Sequence, residues 1–576
     1  MKLMEALRLC QYLQEEAGGV YHLGLLCGCE PLHLKTFFTA YLKQQLPAKQ
    51  VQVESGLYGD LLGNIQRAAT QDWNSTAVLL EWADCDPRLG IRQLGGWKPE
   101  QLNDIIASTR FVLGRLQESI LALAEKTTVA LSLPTLALPP VAHTPAFQLS
   151  GFELSLQGLI NDFALHLTRS GRIYILSPAA LDRLVAPATR RDVKSEALYG
   201  FPYQVVFADV IAEQMIRLLT RLTPRKGIIT DLDNTFWKGI IGEIGMNAVS
   251  WNLDGQGQVH GLYQQLLASL AASGTLIAVA SKNDAKAVSE AFQREDLLLK
   301  EAQIFPMEVH WNAKSESVGR ILKAWNIGAD SVVFVDDSPM ELEEVKAKHP
   351  AIECILFPTN DYAAILELLT RLRDFCGKSI LSAEDTLRLQ SLRQAQELNV
   401  LQESGSDLTG FLKEAGAELQ VSFAKAPFDI RAHELVNKTN QFNLNGKRYT
   451  EADWKQMLED PAAFLMTVSY ADKYGSLGKI AVVQGRKEGN ALYIQAWAMS
   501  CRAFARHIEY RSLELLFEYL QVECLFLDYQ RTERNSPAQG FLDIWGSVET
   551  TPLLKIIKSE FQKNSPTLYH TTRIIV

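Results

Sequence analysis

Short apolar segments that alternate with amphipathic segments are the feature that most constrains how this chain folds. In residues 1–217 the apolar segments are 22–26, 77–81 and 129–133. A loop and a helical pattern follow each of them. Alternation of this kind predicts a parallel sheet whose strands are joined by crossover helices. We therefore expect residues 1–217 to form an α/β domain.

The same alternation returns in residues 222–375, where polar residues end each apolar segment. The segments are 227–230, 276–280 and 332–335, and they lead into Asp231-Leu232-Asp233-Asn234-Thr235, Ser281-Lys282-Asn283 and Asp336-Asp337. Lys314 lies between the second and third segments. Because parallel strands gather their carboxyl ends at one edge, where α/β folds bind ligands, we expect these side chains to meet.

The remainder of the chain has a different pattern. Residues 383–403 predict one polar helix that connects domains, and residues 404–576 mix helices and strands without the earlier rhythm. This second region is typical of an α+β domain. A chain of 576 residues is long enough for three to four domains, in agreement with these boundaries.

The residues at the strand ends suit phosphoryl transfer. Asp231 can act as the nucleophile, and Asp233, on the same side of an extended segment, can act as general acid and base. Clustered carboxylates repel one another unless a cation joins them. We therefore predict a Mg²⁺ site formed by the acidic side chains Asp231, Asp233, Asp336 and Asp337. The predicted phosphate-binding residues are Thr235, Ser281, Lys282, Asn283 and Lys314.

A single pair of aspartates at a strand end is more often part of a turn or a helix cap. Here the polar strand ends and the lysine follow one another in order, which favours a site. The intervals from Asp233 to Ser281 and from Ser281 to Lys314 are largely used by a helix and a strand. No room is left for a large inserted cap domain.

Four sequence motifs resemble those of the haloacid-dehalogenase (HAD) superfamily and, more narrowly, those of FkbH-like proteins. They are IITDLDNTFWKGIIGE, ASKND, WNAKSES and VFVDDSPMELEEV. The narrower resemblance extends to about residue 545 through NKTNQFNL, MSCR and TERNSP, which resemble an acetyltransferase-like (GNAT-like) region. It implies a nucleophilic or Mg²⁺-binding Asp231, an acid/base Asp233 and phosphate binding by Ser281 and Lys314. FkbH-like proteins usually carry arginine where this chain has Leu342, which leaves the acyl donor open.

The resemblance also implies a reaction. FkbH-like proteins serve polyketide assembly lines, where a three-carbon unit from 1,3-bisphosphoglycerate loses its phosphates and becomes a glyceryl thioester on an acyl carrier protein. Cys501, flanked by Arg502, Arg506 and His507, could carry the acyl group, or it could pack in a core. The amides of residues 437–443 could bind substrate or satisfy the backbone of a bend.

Residues 1–217 resemble SGNH hydrolases only loosely. The first predicted strand leads into Cys27-Gly28-Cys29 without the serine nucleophile, and Asp-x-x-His is absent from this region. We therefore expect a degenerate domain with a scaffolding or carrier-docking role. Cys27 and Cys29 have one residue too few between them for a CxxC pair, which favours buried packing.

Composition excludes several classes of protein. The formal charge of −9 argues against nucleic acid as a partner, and no apolar run reaches the length of a membrane span. Eight cysteines without metal-ligand spacing suggest reduced thiols and a cytoplasmic location. Two alternatives stay open: a HAD phosphatase that acts on a small phosphoester, with regulatory or carrier-binding outer domains, and a carrier-binding scaffold with an inactive site.

Overall fold

The computed structural model describes residues 1–11, 19–220, 224–378, 381, 385, 388–390, 392–393, 413–414, 416–473, 475–500, 503–504, 506–532, 535–546 and 553–575. Contacts within the chain divide it into unit 1, Met1–Thr223, and unit 2, Pro224–Val576. Among the described residues, no helix has both the length and the apolar character needed to cross a membrane.

Unit 1 is built around parallel strands. They are β1 Val20–Cys27, β2 Gln50–Ser55, β3 Ser75–Leu79, β4 Thr128–Ser132 and β5 Ile173–Ile175. Their order in the sheet is β2-β1-β3-β4-β5. The helices are α1 Leu3–Gln11, α2 Leu32–Gln45, α3 Leu61–Ala68, α4 Trp82–Cys85, α5 Leu102–Ala124, α6 Gly151–Leu167, α7 Pro178–Leu184, α8 Val193–Tyr199 and α9 Val205–Thr220.

The side chains of β1 contribute to two cores, because successive residues of a strand face opposite sides of the sheet. Leu23 and Leu25 are buried in a cluster with residues of α2 and α9. Leu26 is buried on the other face, with residues of α5 and α6. Helices thus cover both faces, which confirms the parallel α/β arrangement predicted from the alternating pattern.

A second parallel sheet opens unit 2. Its strands are β6 Gly227–Thr230, β7 Leu276–Ser281, β8 Ile304–Val309, β9 Val332–Asp336 and β10 Glu353–Leu356. They pair in the order β10-β9-β6-β7-β8. The helices around it are α10 Ile241–Ile244, α11 Gln258–Ala272, α12 Ala285–Phe292, α13 Lys314–Trp325, α14 Pro339–Lys348 and α15 Tyr362–Cys376. The central strand is β6, with Ile228 and Ile229 buried in the cores on its two faces.

Polar residues determine where the helices beside this sheet begin. Asp284 accepts a hydrogen bond from the amide of Ala287 and caps α12. Ser338 is the N-cap of α14, and Pro339 occupies the first turn, where its missing N–H costs no helical hydrogen bond. Because these caps follow β7 and β9 closely, the residues at the strand ends are held between a strand and a helix start.

The connections at the carboxyl edge of this sheet are short. Residues 231–275, all of which are described, contain α10 and α11. Residues 282–303, also fully described, contain α12 and one short 3-10 turn. Neither segment holds an inserted domain, as the spacing of the strand-end residues predicts.

The described residues of unit 2 from 416 onward include a mixed sheet. Its strands are β11 Glu418–Ser422, β12 Phe442–Asn443, β13 Ala463–Asp472, β14 Gly475–Glu488, β15 Ala491–Met499, β16 Cys524–Leu527, β17 Leu554–Ile557 and β18 Thr571–Ile575. The order is β17-β16-β15-β14-β13-β11-β18, with β12 paired to β15. The pairs β15–β16 and β11–β18 are parallel, and the other pairs are antiparallel.

The helices beside the mixed sheet are α16 Ile430–Lys438, α17 Glu451–Glu459, α18 Ile508–Tyr519, α19 Ser536–Leu542 and α20 Lys558–Asn564. The buried side chains of this sheet and its helices form one large core cluster and a smaller one. Most of the predicted connector, 383–403, lies outside the described residues. The acetyltransferase-like character of residues 404–576 stays a prediction.

Candidate active site

The carboxyl ends of β6, β7 and β9 bring three predicted site residues to one edge of the sheet. Asp231 follows β6 directly, Ser281 ends β7 and Asp336 ends β9. The central strand β6 pairs in parallel with both neighbours, and the amide of Asp231 donates to the carbonyl of Val335 at 3.0 Å. The edge therefore carries two carboxylates and a hydroxyl from three adjacent strands.

Lys314, the first residue of α13, lies among the carboxylates of this edge. Its ammonium is 3.0 Å from Oδ1 of Asp231 and 2.6 Å from Oδ2 of Asp336. Only 5% of Lys314 is exposed, and such burial by itself disfavours a charged ammonium. The two carboxylates outweigh this burial and raise the pKa of Lys314. The lysine is therefore a fixed positive charge.

Three carboxylates share this single cation. Asp231, Asp336 and Asp337 each have one carboxylate oxygen that lies within 4.8 Å of the corresponding oxygens of the other two. Burial raises the pKa of Asp336 to about 7, and the nearby charge of Asp231 adds to this effect. Burial also raises the pKa of Asp337, again with a contribution from Asp231. The cluster thus holds more negative charge than Lys314 balances.

This donor set fits Mg²⁺. The ion prefers oxygen ligands and is bound in proteins through a few carboxylates while it keeps several waters. The trio Asp231, Asp336 and Asp337 offers oxygen atoms at one point. A divalent cation would relieve the repulsion from Asp231 that, in addition to burial, raises the pKa values of Asp336 and Asp337. Among the described residues, no other group of histidine, cysteine, aspartate or glutamate side chains gathers in this way.

Asp233, predicted as both acid/base and metal ligand, lies outside the trio. Its Oδ1 accepts hydrogen bonds from the indole N–H of Trp237 at 2.8 Å and from the amide of Ile241 at 3.1 Å. Its Oδ2 accepts one from the side-chain amide of Asn283 at 2.9 Å. The half-buried carboxylate is therefore held by N–H donors.

The other predicted phosphate-binding residues have different surroundings. The ammonium of Lys282 pairs with Glu341 at 2.8 Å and lies 4.0 Å from Glu344, both on α14. The side-chain amide of Asn283 reaches Oγ of Ser281 at 3.4 Å as well as Asp233. Thr235 is fully buried, and its hydroxyl has no hydrogen-bond partner among the described residues.

Three contributors to the site were missed by sequence reasoning. Trp237 and the amide of Ile241 hold Asp233, and the buried Glu341 pairs with Lys282. The sequence signal for Trp237 was an aromatic residue four positions after Asp233 and between Asn234 and Gly239, residue types that tolerate left-handed backbone. Both adopt it in the structure. Such a turn folds the chain back, so that a residue downstream can reach the carboxylate.

Cys501, the predicted acyl-carrying thiol, lies outside the described residues, as does its neighbour Arg502. Of the nearby cations, Arg506 is buried, with its guanidinium 5.4 Å from the centre of the Tyr470 ring. His507 precedes α18, and burial lowers its pKa. A thiol role for Cys501 stays a prediction.

Two side chains of the amide-rich segment 437–443, those of Asn437 and Asn443, bind backbone groups. The side chain of Asn437 accepts from the amide of Tyr449 and donates to the carbonyl of the same residue. Asn443 is buried, donates to two carbonyls and accepts from two amides. Asn437 and Asn443 therefore supply hydrogen bonds to the backbone of a bend, which is one of the two roles predicted for these amides; the other was substrate binding.

In unit 1, the side chain of Cys27 is packed in the core, as predicted. Cys27 is buried, and its thiol donates to the carbonyl of Cys29 at 3.3 Å. A hydrogen bond with Cys27, together with burial, raises the pKa of Cys29 well above its ordinary value. A thiol with a raised pKa is a poor nucleophile near neutral pH.

Comparison with solved structures shows a shared fold over 66% of this chain. No protein-family model and no curated protein matches it. The structure is similar to the N-terminal part of the protein BF1531 from Bacteroides fragilis, which contains a phosphatase domain and was solved in complex with Mg. The two chains are 18% identical, the similarity covers 66% of this chain and 100% of the other, and the TM-score is 0.51.

A second solved structure, the salicylyl-acyltransferase SsfX3 from a tetracycline biosynthetic pathway, is 10% identical. The similarity covers 36% of this chain and 55% of the other, and the TM-score of 0.22 is too low to indicate a shared fold. The likeness to BF1531 and the parallel sheet around β6 support an α/β fold like that of this phosphatase-containing structure. Membership of the HAD superfamily and the narrower resemblance to FkbH-like proteins stay predictions.

Proposed function

We propose that this chain is a Mg²⁺-dependent enzyme that transfers or hydrolyses phosphoryl groups through Asp231. The observation that supports this most is the carboxylate of Asp231 at the end of β6, beside the ammonium of Lys314 and the carboxylates of Asp336 and Asp337. Phosphoryl transfer needs a nucleophile, positive charge for the phosphoryl oxygens and a proton donor for the leaving group. Residues suited to each task lie at this edge.

In the first half of the reaction, a carboxylate oxygen of Asp231 attacks phosphorus, and the bond from phosphorus to the leaving oxygen breaks. Asp233 gives a proton to that oxygen. Lys314 and the hydroxyl of Ser281 offer a positive charge and a donor to the phosphoryl oxygens. When held by the carboxylate trio, Mg²⁺ supplies further positive charge for the same oxygens.

In the second half, water attacks the phosphorus of the aspartyl phosphate. Asp233, now ionised, accepts a proton from that water, and the bond between phosphorus and Asp231 breaks. Inorganic phosphate leaves and the Asp231 carboxylate is restored. One side chain thus serves as acid and then as base, which requires that it stay in place through both halves.

The finer proposal concerns the substrate. We propose 1,3-bisphosphoglycerate as the phosphorylated three-carbon acid and the phosphopantetheine thiol of an acyl carrier protein as the acceptor of its glyceryl group, as in polyketide biosynthesis. The motifs in residues 222–545 that resemble FkbH-like proteins support this. The short connections after β6 and β7 also support it, since a site without an inserted cap domain can admit a substrate carried by a protein.

Acyl transfer needs a thiol as well as phosphate handling. In the proposed step, a thiolate attacks the acyl carbon, the bond between that carbon and the phosphate oxygen breaks, and phosphate leaves as a thioester forms. Cys501 is the proposed first acceptor, before the carrier thiol. The remaining phosphoester is cleaved at Asp231.

The experiment is intact-mass analysis of a holo carrier protein incubated with the chain, Mg²⁺ and 1,3-bisphosphoglycerate generated in situ. Asp231→Asn and Cys501→Ala are tested alongside. A dephosphorylated glyceryl adduct that both substitutions abolish supports the two-residue scheme. An adduct that survives Cys501→Ala excludes Cys501 as the acceptor and assigns acyl transfer to the aspartate site or directly to the carrier thiol. Phosphate release without any adduct, for each carrier tested, favours a phosphatase for small phosphoesters.

A further inference from the structure

Three N–H donors from two segments of the chain hold the carboxylate of Asp233. The indole of Trp237 and the amide of Ile241, at the start of α10, lie 2.8 and 3.1 Å from Oδ1. The side-chain amide of Asn283, which follows β7, lies 2.9 Å from Oδ2. These contacts restrict rotation of the carboxylate about its bond to Cβ, because rotation would break all three hydrogen bonds.

The two oxygens of Asp233 are not equivalent in this arrangement. A carboxylate oxygen has two lone pairs that accept hydrogen bonds. Two N–H donors use both lone pairs of Oδ1, whereas among the described residues Asn283 uses one lone pair of Oδ2. Oδ2 is therefore the oxygen that has room for a proton.

We propose that Trp237 is a positioning residue that fixes Asp233 so that Oδ2 alone exchanges protons with the leaving group and with water. This inference rests on the proposed phosphoryl transfer through Asp231 and deepens it. In the first half of the reaction the proton on Oδ2 passes to the leaving oxygen as its bond to phosphorus breaks. In the second half Oδ2 takes a proton from the attacking water.

Trp237 is well suited to this task because it is itself immobile. It is fully buried, and its ring packs against Phe236 and Phe292, with centroids 5.6 and 5.9 Å away. Its backbone amide donates to the carbonyl of Leu232 at 3.2 Å, which closes the turn after β6. The indole N–H thus has a fixed position relative to Asp233.

The turn that delivers Trp237 depends on left-handed backbone at Gly239, where φ is 102°. A Cβ at Gly239 would come within 2.3 Å of Cδ1 of Ile244, a side-chain end that can move aside, so the backbone conformation is what favours glycine here. The amide of Gly239 also donates to the side chain of Asn234 at 3.1 Å. The loop held by this hydrogen bond also contains Trp237 and leads into Ile241, the two residues whose N–H groups bind Oδ1 of Asp233.

A role in packing alone predicts a different behaviour from a role in proton transfer. Trp237→Phe keeps an aromatic ring in the core and removes the N–H donor. A matched pair of esters then separates the roles. Phenyl phosphate has a basic leaving group that needs a proton, whereas 2,4-dinitrophenyl phosphate has a weakly basic one that leaves without help. For both esters kcat/KM reports the steps up to formation of the aspartyl phosphate.

We expect Trp237→Phe to lower kcat/KM for phenyl phosphate about 10-fold or more, because general acid catalysis contributes about 100-fold or more when complete. For 2,4-dinitrophenyl phosphate we expect a change of about 2-fold at most. Asp233→Asn should show the same selectivity with a larger loss on phenyl phosphate. Phe292→Leu, which alters packing around the indole but keeps its N–H, should leave the ratio of the two esters unchanged.

Equal losses on both esters in Trp237→Phe would assign Trp237 to packing and overturn the proposal, as would no loss on either. Should Trp237→Phe fail to fold, replacement of Trp237 by benzothienylalanine, which keeps the shape of the indole and lacks its N–H, must show the same selective loss. A wild-type chain that hydrolyses neither ester with Mg²⁺, or an Asp231→Asn variant as active as wild type, contradicts the proposed function instead.

Discussion

The ammonium of Lys314 lies 2.6 Å from Oδ2 of Asp336, and both side chains are buried. Lys314 begins α13 and Asp336 ends β9, so the contact ties a helix start to a strand end at the carboxyl edge of the sheet. The same ammonium reaches Asp231 at 3.0 Å. One lysine thus determines how much negative charge the edge carries before any cation binds.

Removal of this charge should impair phosphoryl transfer. Lys314→Met keeps much of the side-chain volume and leaves the carboxylates of Asp231 and Asp336 without their ammonium. We expect kcat for phosphoester hydrolysis to fall about 100-fold or more, the usual loss when one charge-stabilising group is removed. Steady-state kinetics with Lys323→Met, an exposed lysine of the same helix, is the matched control. Similar kinetics for both variants would contradict the role of Lys314.

Mg²⁺ should stabilise unit 2 through the carboxylate trio. A ligand that binds only the folded state adds about 2.7 kcal/mol to the free energy of unfolding at a hundredfold excess over its Kd. We expect Mg²⁺ to raise the melting temperature of the wild type and to have little effect on Asp336→Asn. Calorimetry with and without Mg²⁺ measures this, with Asp254→Asn, an exposed aspartate, as control. An equal Mg²⁺ effect in Asp336→Asn would place the ion elsewhere.

Unit 1 should lose stability as the pH rises, because of Asp84. Burial raises the pKa of Asp84 from 3.8 to about 7, and the nearby charge of Glu81 adds to this effect. Between these values the folded state holds a proton that the unfolded state has released, so the free energy of unfolding decreases with pH and levels off above about 7. Asp84→Asn mimics the protonated form and should lessen this decrease.

Urea unfolding of the full chain at about pH 5 and about pH 8 tests this linkage. Relative to wild type, Asp84→Asn should be more stable at the higher pH than at the lower one. Asp72→Asn, at an exposed position of the same unit, should show no such trend. The opposite sign for Asp84→Asn would mean that the carboxylate is held ionised in the folded state.

Asn443 should be needed for stability. Its buried amide donates to the carbonyls of Val436 and Thr439 and accepts from the amides of Asn445 and Gly446. Asn443→Leu leaves these groups without partners, and we expect a loss of about 2 kcal/mol or more in the free energy of unfolding. Asn440→Leu, at an exposed position, is the control in the same urea titration. Comparable losses would show that the bend does not depend on Asn443.

The edge that carries Asp231, Ser281 and Asp336 could be predicted from sequence because each follows an apolar strand, and parallel strands end together. The absence of a large inserted cap domain could also be predicted, because a helix and a strand use most of the residues between these site residues. These inferences need only the period of the pattern and the direction of the strands.

The partners of individual side chains could not be predicted in this way. Asp233 meets Trp237 because Asn234 and Gly239 adopt left-handed backbone, which an apolar pattern does not record. Lys282 pairs with Glu341 on α14, a contact between segments far apart in the sequence. Likewise, the side-chain amide of Asn443 was one of those that could bind substrate. It binds backbone groups instead, because the polar groups of a buried bend need hydrogen-bond partners.

The most direct test of the account is detection of phosphate on Asp231. The chain is mixed with 2,4-dinitrophenyl phosphate and Mg²⁺, quenched rapidly in acid and mapped by peptide mass spectrometry. We expect one phosphoryl group on the peptide that contains Asp231, more of it in Asp233→Asn because hydrolysis then lacks its base, and none in Asp231→Asn. Phosphate release with no modified Asp231, and undiminished in Asp231→Asn, would contradict phosphoryl transfer through this aspartate.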